Sequence, residues 1–212
     1  MKKYFTSFLL ILFFLSACHP VKNPVVTIKT EKGDIVVELY PNKAPFTVYN
    51  FLRYVDENRF EGAAFYRTVR QDNQPDNDIK IAVIQGGLFE DNHPQALPPI
   101  PHETTKKTGI KHLDGTISMA RNEPGTASSE FFICIGDQPQ LDYGGKRNPD
   151  GQGFAAFGRV IKGMDVVHKI HRSPADGQWL NPKIKITGVK GDREHLLTVF
   201  ENWVPAGSKK KR

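Results

Sequence analysis

Residues 125–158 read GTASSEFFICIGDQPQLDYGGKRNPDGQGFAAFG. Two short apolar runs, at 131–135 and from 156 onward, stand on either side of a stretch dense in Gly, Asp, Asn and Pro. Short β-branched and aromatic runs bounded by turn formers read as strands joined by a loop. On a strand, neighbouring side chains point to opposite faces, so Phe131 and Phe132 are assigned to different sides of a sheet. Cys134 in that apolar run is expected to be an inert buried thiol, because no His or acidic partner stands beside it and an apolar site disfavours the thiolate.

Working outward, the same pattern recurs. Residues 25–30 and 34–39 are β-branched runs separated by Glu31-Lys32-Gly33, which predicts a hairpin. Further short strands are expected at 65–69, 81–84, 116–120, 156–161 and 183–187, with long polar loops between them, the loop at 71–80 among them. Between the strands, two segments have helical spacing: Pro45, Val48, Phe51, Leu52 and Val55, ending before Asn58, and Met164, Val167 and Ile170. Many short strands with few helices predict a mainly β closed barrel rather than a βαβ sheet. Leu196, Leu197, Phe200 and Trp203 share one helical face and predict an appended C-terminal helix.

The chain has 212 residues with 39% hydrophobic and 25% charged side chains, enough for one domain with a substantial core. Its start, MKKYFTSFLLILFFLSAC, places Lys2 and Lys3 before an apolar run too short to span a bilayer, the layout of a secretory signal. Leu15-Ser16-Ala17-Cys18 resembles the lipobox of bacterial lipoproteins, in which the cysteine is acylated and becomes the new N-terminus. The expected organisation is therefore a signal peptide at 1–17, lipidated Cys18 and a linker to 24, a domain at 25–190, and a C-terminal extension at 191–212. His19, rather than Asp, follows the anchor, which resembles outer-membrane sorting in a Gram-negative cell.

The net charge of +6 is modest, and part of it sits in the terminal Lys209-Lys210-Lys211-Arg212, read as a solvated tail. No interleaving of aromatic and basic residues suggests a nucleic-acid platform. His168 and His171 have a spacing that one helix face can use, but both sit beside basic Lys169 and Arg172 and read as surface imidazoles, so no metal and no cofactor are expected.

Several segments, in order, carry a resemblance: Phe65-Tyr66-Arg67, Ile84-Gln85-Gly86-Gly87, Ser118-Met119-Ala120, Ser129-Glu130-Phe131-Phe132-Ile133 and Phe157-Gly158-Arg159-Val160. From about 25 to 189 the chain resembles the cyclophilins, a family of peptidyl-prolyl cis-trans isomerases. The resemblance implies an eight-stranded antiparallel barrel capped by two helices. It implies cofactor-independent catalysis by Arg67, with Gln85 contacting substrate and orienting the arginine. Phe132 and Leu141 would wall the proline pocket, Phe131 would lie in the core, and Ala120, Arg121 and Asn122 would run along an extended client. Lipid anchoring adds an envelope location, a monomer on the periplasmic side acting on proline-containing segments during folding.

This sequence departs from the family pattern at several points. Ala82 and Val83 stand where Phe-Met is frequent, which removes aromatic surface from the pocket. That loss motivates an alternative: a cyclophilin-fold module that binds or scaffolds proline peptides with little turnover. Arg121 replaces a common Asn, Gln140 an aromatic residue and Phe154 a frequent His, so poor cyclosporin sensitivity is expected. The 71–80 insertion is a candidate source of replacement contacts, and the loop from 136 to 154 reads as a variable insertion beside the groove.

Overall fold

The computed structural model describes residues 23–90 and 93–191. The expected signal peptide, Cys18 and the C-terminal helix lie outside them. Strands β1 (Val25–Thr30) and β2 (Gly33–Leu39) form the expected hairpin, followed by helix α1 (Pro45–Asp56). Next come β3 (Ala64–Val69), β4 (Val83–Gly87), the one-turn helix α2 (Thr105–Thr108), β5 (Thr116–Met119) and β6 (Phe131–Cys134). After a 3-10 turn at Pro139–Leu141 come β7 (Ala155–Lys162), α3 (Met164–His171), β8 (Ala175–Asp176) and β9 (Trp179–Gly191).

The strands follow the order β1-β2-β7-β5-β6-β4-β3-β9-β8, and a β1–β9 pairing closes the ring. Every pairing is antiparallel. All strands but β8 build the barrel, and β8 adds a short flank to β9. Closure leaves the barrel strands no unpaired edge.

Alternation fills the barrel. Phe131 is fully buried with Phe51, Phe65 and Phe157; its ring lies edge-on to Phe51 at 5.6 Å and to Phe65 at 5.7 Å. Truncating such a residue costs about 3–5 kcal/mol through lost transfer energy and the cavity left behind. Phe132, one residue on, joins a separate apolar cluster with Val69, Ile81, Val83, Cys134 and Leu141. Cys134 is fully buried, and burial pushes its thiol well above its ordinary pKa.

Helix α1 closes one end of the barrel. Pro45 enters its first turn, and Ala44 in the N-cap position supplies no side-chain acceptor. The buried Glu103 carboxylate takes that role from a distant loop: its Oε2 accepts from the Thr47 N–H and the Thr47 hydroxyl, both at 2.8 Å. A carboxylate at a helix N-terminus satisfies an orphan donor and complements the helix dipole.

Sequence and structure differ at the strand ends. The strand expected at 81–84 runs Val83–Gly87, because its first ladder partner on β6 is Cys134. The strand expected at 183–187 is the middle of β9, which starts at Trp179. Asn181 and Pro182 interrupt the apolar pattern there, yet the register steps from Ile184 opposite Phe65 to Trp179 opposite Arg67, so they sit in a bulge.

Candidate active site

A groove of about 920 Å3 runs along the outside of the barrel beside β3 and β4, between the 71–90 segment and the loops after β5 and β6. Its position follows from a β-bulge. The register of β3 against both β4 and β9 slips between Phe65 and Arg67. A regular strand would send Tyr66 and Arg67 to opposite faces, whereas here both line the groove while Phe65 stays in the core.

Three acceptor contacts fix the Arg67 guanidinium. Nη1–H donates to Gln85 Oε1 at 2.9 Å, and Nε–H and Nη2–H both donate to Gln178 Oε1 at 2.9 and 2.6 Å. Gln178 is held in turn, its Nε2 donating to the Asn73 carbonyl at 3.0 Å. Burial lowers the Arg67 pKa, partly offset by Tyr66, but a guanidinium remains charged.

Beyond Gln85 the network continues. Gln85 Nε2 donates to Tyr66 Oη at 2.6 Å, and the Tyr66 hydroxyl donates to Glu130 Oε2 at 2.5 Å. Glu130 Oε1 accepts from the Phe89 N–H and the Ser129 hydroxyl, each at 3.0 Å. Burial first, and the Glu130 charge second, hold the Tyr66 phenol far above its ordinary pKa, so it stays a donor. The carboxylate reaches this position over Gly87, at φ +149°, where an added Cβ would stand 2.5 Å from Glu130 Oε1. Phe89 has φ 51°, a left-handed conformation uncommon for a bulky residue, and it directs its N–H at Glu130.

The apolar part of the groove is walled by Val83, Phe132, Leu141 and Phe154. Phe132 and Phe154 meet edge to face at 5.2 Å. Behind Phe132 lies the His112 ring, nearly parallel at 5.9 Å. Because the Asp142 carboxylate can only accept, His112 Nδ1 carries the proton it donates at 2.8 Å, and Nε2 then accepts from the Ser118 hydroxyl at 3.0 Å. Burial lowers the His112 pKa despite Asp142, so at neutral pH the pair is a neutral imidazole bound to a carboxylate. Burial alone would raise the Asp142 carboxyl, but the His112 hydrogen bonds outweigh it and hold the pKa below the ordinary value.

Of the residues singled out in the sequence, Arg67, Gln85, Val83, Phe132, Leu141 and Phe154 converge on the groove, and Ala120, Arg121 and Asn122 form its other wall. Ala82 does not line it. Ile81, Val83 and Gln85 share the groove face by strand alternation, so Ala82 falls on the other face; its N–H donates to Gln138 Oε1 at 3.2 Å and its carbonyl accepts from Ile135 at 2.9 Å.

Arg121 has a side chain only 1% exposed, turned onto the loop after β6. It forks onto Asp150 at 2.8 and 3.0 Å, donates to the Gly153 carbonyl at 3.0 and 2.7 Å, and lies 5.4 Å from the Phe154 ring centre. Its guanidinium therefore braces the wall that carries Phe154.

Trp179, Glu130, Tyr66 and Arg147, which line the groove, and Gln178, which holds Arg67, are not among the site residues the sequence points to. Tyr66 and Glu130 sat inside the motifs already quoted, and the bulge hid the first of them. Gln178 and Arg147 come from segments whose spacing carries no signal. His171, weighed as a ligand, donates Nε2–H to the Val69 carbonyl at 3.0 Å.

Residues 25–191 match the family described as cyclophilin type peptidyl-prolyl cis-trans isomerase/CLD. The chain is 36% identical over 177 residues to a peptidyl-prolyl cis-trans isomerase of Acinetobacter baylyi, covering 83% of this chain and 87% of that one. It is 37% identical over 147 residues to peptidyl-prolyl cis-trans isomerase B of Escherichia coli, covering 69% and 83%. A cyclophilin type peptidyl-prolyl cis-trans isomerase of Cryptosporidium parvum has the same fold, with a TM-score of 0.63 at 22% identity over 80% of this chain and 98% of that one. A second structure of that protein was obtained in the presence of the dipeptide Ala-Pro, with a TM-score of 0.62. With the family match spanning the whole barrel, the chain belongs to the cyclophilin-type peptidyl-prolyl cis-trans isomerases.

Proposed function

We propose that this isomerase acts on proline-containing segments of client proteins in the bacterial envelope, with Arg67 as the catalytic residue and Cys18 as a lipid anchor. The observation that carries the catalytic reading is a guanidinium fixed by Gln85 and Gln178 at the edge of an apolar pocket.

Rotation about an Xaa-Pro bond meets a barrier of ~18–20 kcal/mol because the C–N bond has partial double-bond character. In the twisted state the prolyl nitrogen becomes pyramidal and regains a lone pair. A fixed cationic donor beside that nitrogen stabilises the twisted state more than the planar one, and no nucleophile or cofactor is required. Val83, Phe132, Leu141 and Phe154 receive the proline ring, while Ala120, Arg121 and Asn122 line the path of the extended chain. The Ala-Pro dipeptide present with the Cryptosporidium parvum relative supports proline as the recognised residue.

The step is worth catalysing during folding because it takes on the order of tens to hundreds of seconds unaided. The MKKYFTSFLLILFFLSAC start supports a periplasm-facing, membrane-anchored protein, on the outer membrane if the cell is Gram-negative. Cys18→Ser should move the protein out of the membrane fraction and abolish lipid labelling; a labelled, membrane-bound variant would refute the anchor.

A second reading keeps one observation: no aromatic ring from β4 reaches the pocket, whose β4 wall is Val83. A pocket so trimmed suits a module that binds proline peptides with little turnover. Exchange spectroscopy of a proline peptide with the protein separates the two. Cross-peaks between cis and trans signals are expected; binding shifts without exchange would favour the module.

A further inference from the structure

Arg67 is not the only guanidinium in the groove. Arg147, from the loop between β6 and β7, lines it as well, together with Asn77, Asn148 and Trp179. The Arg147 side chain crosses to the 71–80 insertion, where Nη1–H donates to Gln74 Oε1 at 2.8 Å and to the Ile79 carbonyl at 2.6 Å. Gln74 is only 2% exposed. It is a firm anchor, donating to the Arg70 carbonyl at 2.6 Å and the Ile81 carbonyl at 2.9 Å. Two irregular segments thus cooperate to hold one cation over the groove.

What the two guanidiniums lack is an anion. All their acceptors are neutral, the side-chain oxygens of Gln85, Gln178 and Gln74 and one backbone carbonyl. Among the described residues neither makes an ion pair. Of the acids along the groove, Glu130 is engaged through both oxygens by Tyr66, Phe89 and Ser129, and Glu90 is exposed to solvent. Burial, and then the Arg67 charge, lower the Arg147 pKa, as expected for like charges sharing a site without compensation. Arg147 Nε and Nη2 have no hydrogen-bond partner among the described residues, which leaves two donors of a planar fork for a ligand.

We propose that Arg147 is a specificity residue that selects client segments carrying an Asp or Glu side chain beside the proline, its guanidinium pairing with that carboxylate while Arg67 attends to the prolyl nitrogen. This rests on the isomerase reading of the same groove.

The test is a series of end-capped peptides of the form Ala-Xaa-Pro-Xaa-Ala with Glu, Gln or Lys at the flanking positions, assayed with the full chain at low ionic strength. Glu over Gln by about 5-fold in kcat/KM, with Lys below Gln, is expected, and the spread should shrink at high salt. In Arg147→Gln the Glu-to-Gln ratio should fall towards unity, in Arg147→Lys it should largely persist, and in Lys169→Gln, an exposed residue that pairs with Asp165 and does not line the groove, it should not change. Equal rates for the three wild-type peptides, or a Glu preference that survives in Arg147→Gln, would overturn the proposal. If Arg147→Gln does not fold, the salt dependence and the Lys variant still decide. If the chain turns over no peptide, the isomerase reading fails on its own, and dissociation constants for the same series still test the Arg147 preference.

Discussion

Tyr66 and Arg67 are neighbours in the chain that a regular strand would separate, and the bulge between Phe65 and Arg67 is what lets both face the groove. This is why the residue scale was only partly legible. Phe131 and Phe132 obey simple alternation, and their division into core and pocket wall follows from the sequence. Arg67 and Gln85 were found because they stand in segments that resemble the family. Gln178 was invisible: it meets Arg67 only because β9 folds back beside β3 over a bulge. Removing it is informative for that reason. Gln178→Met strips two of the three contacts from the Arg67 guanidinium while keeping side-chain length. A fall in kcat of about 10- to 100-fold with little change in peptide affinity is expected from a misplaced catalytic group; unchanged kcat would show that Gln85 alone suffices. Tyr66→Phe leaves Gln85 Nε2 without its acceptor and Glu130 Oε2 without its donor, so chemical denaturation should register a loss of about 1–3 kcal/mol.

At the scale of elements, regular segments were legible and irregular ones were not. The β1–β2 hairpin, α1 and α3 announce themselves through turn residues and periodicity. The loop between β6 and β7 has no period, yet it supplies Leu141, Arg147 and Phe154 to the groove. Its shape depends on Arg121, whose bonds to Asp150 and Gly153 hold the loop against the body. Arg121→Ala should therefore loosen the Phe154 wall rather than remove a substrate contact. The expected result is a raised KM for proline peptides with a smaller change in kcat, and a stability loss of about 1–3 kcal/mol on denaturation, since Asp150 is partly exposed. A variant with wild-type KM and stability would contradict the bracing role.

For the molecule as a whole, the barrel and its closure were readable because many short strands and few helices allow few other architectures. The length of β9 was not, since its first half carries Asn181 and Pro182 in a bulge rather than an alternating pattern. The folded domain also has a predictable acid response. His102, His112 and His171 all have pKa values lowered first by burial. The unfolded chain takes up protons near the ordinary value of 6.5 while the folded one resists. Stability is therefore fully present above that pH and declines as pH falls below it, before Asp142 and Asp150, whose pKa values are also lowered, begin to contribute. Thermal midpoints measured from about pH 8 down to about pH 5 should be flat and then fall, with a shallower fall in His112→Asn; a midpoint independent of pH would contradict the burial of these imidazoles.

The role proposed for Arg67, acting on the twisted bond and not on the resting peptide, is tested by measuring kcat/KM and the dissociation constant of one proline peptide for the wild type and Arg67→Ala. Loss of one preorganised donor of this kind costs about 10²- to 10³-fold in rate. A fall of that size in kcat/KM is expected, with affinity for the ground-state peptide changed only slightly; equal rates in the two proteins, or a rate loss matched by an equal loss of affinity, would rule that role out.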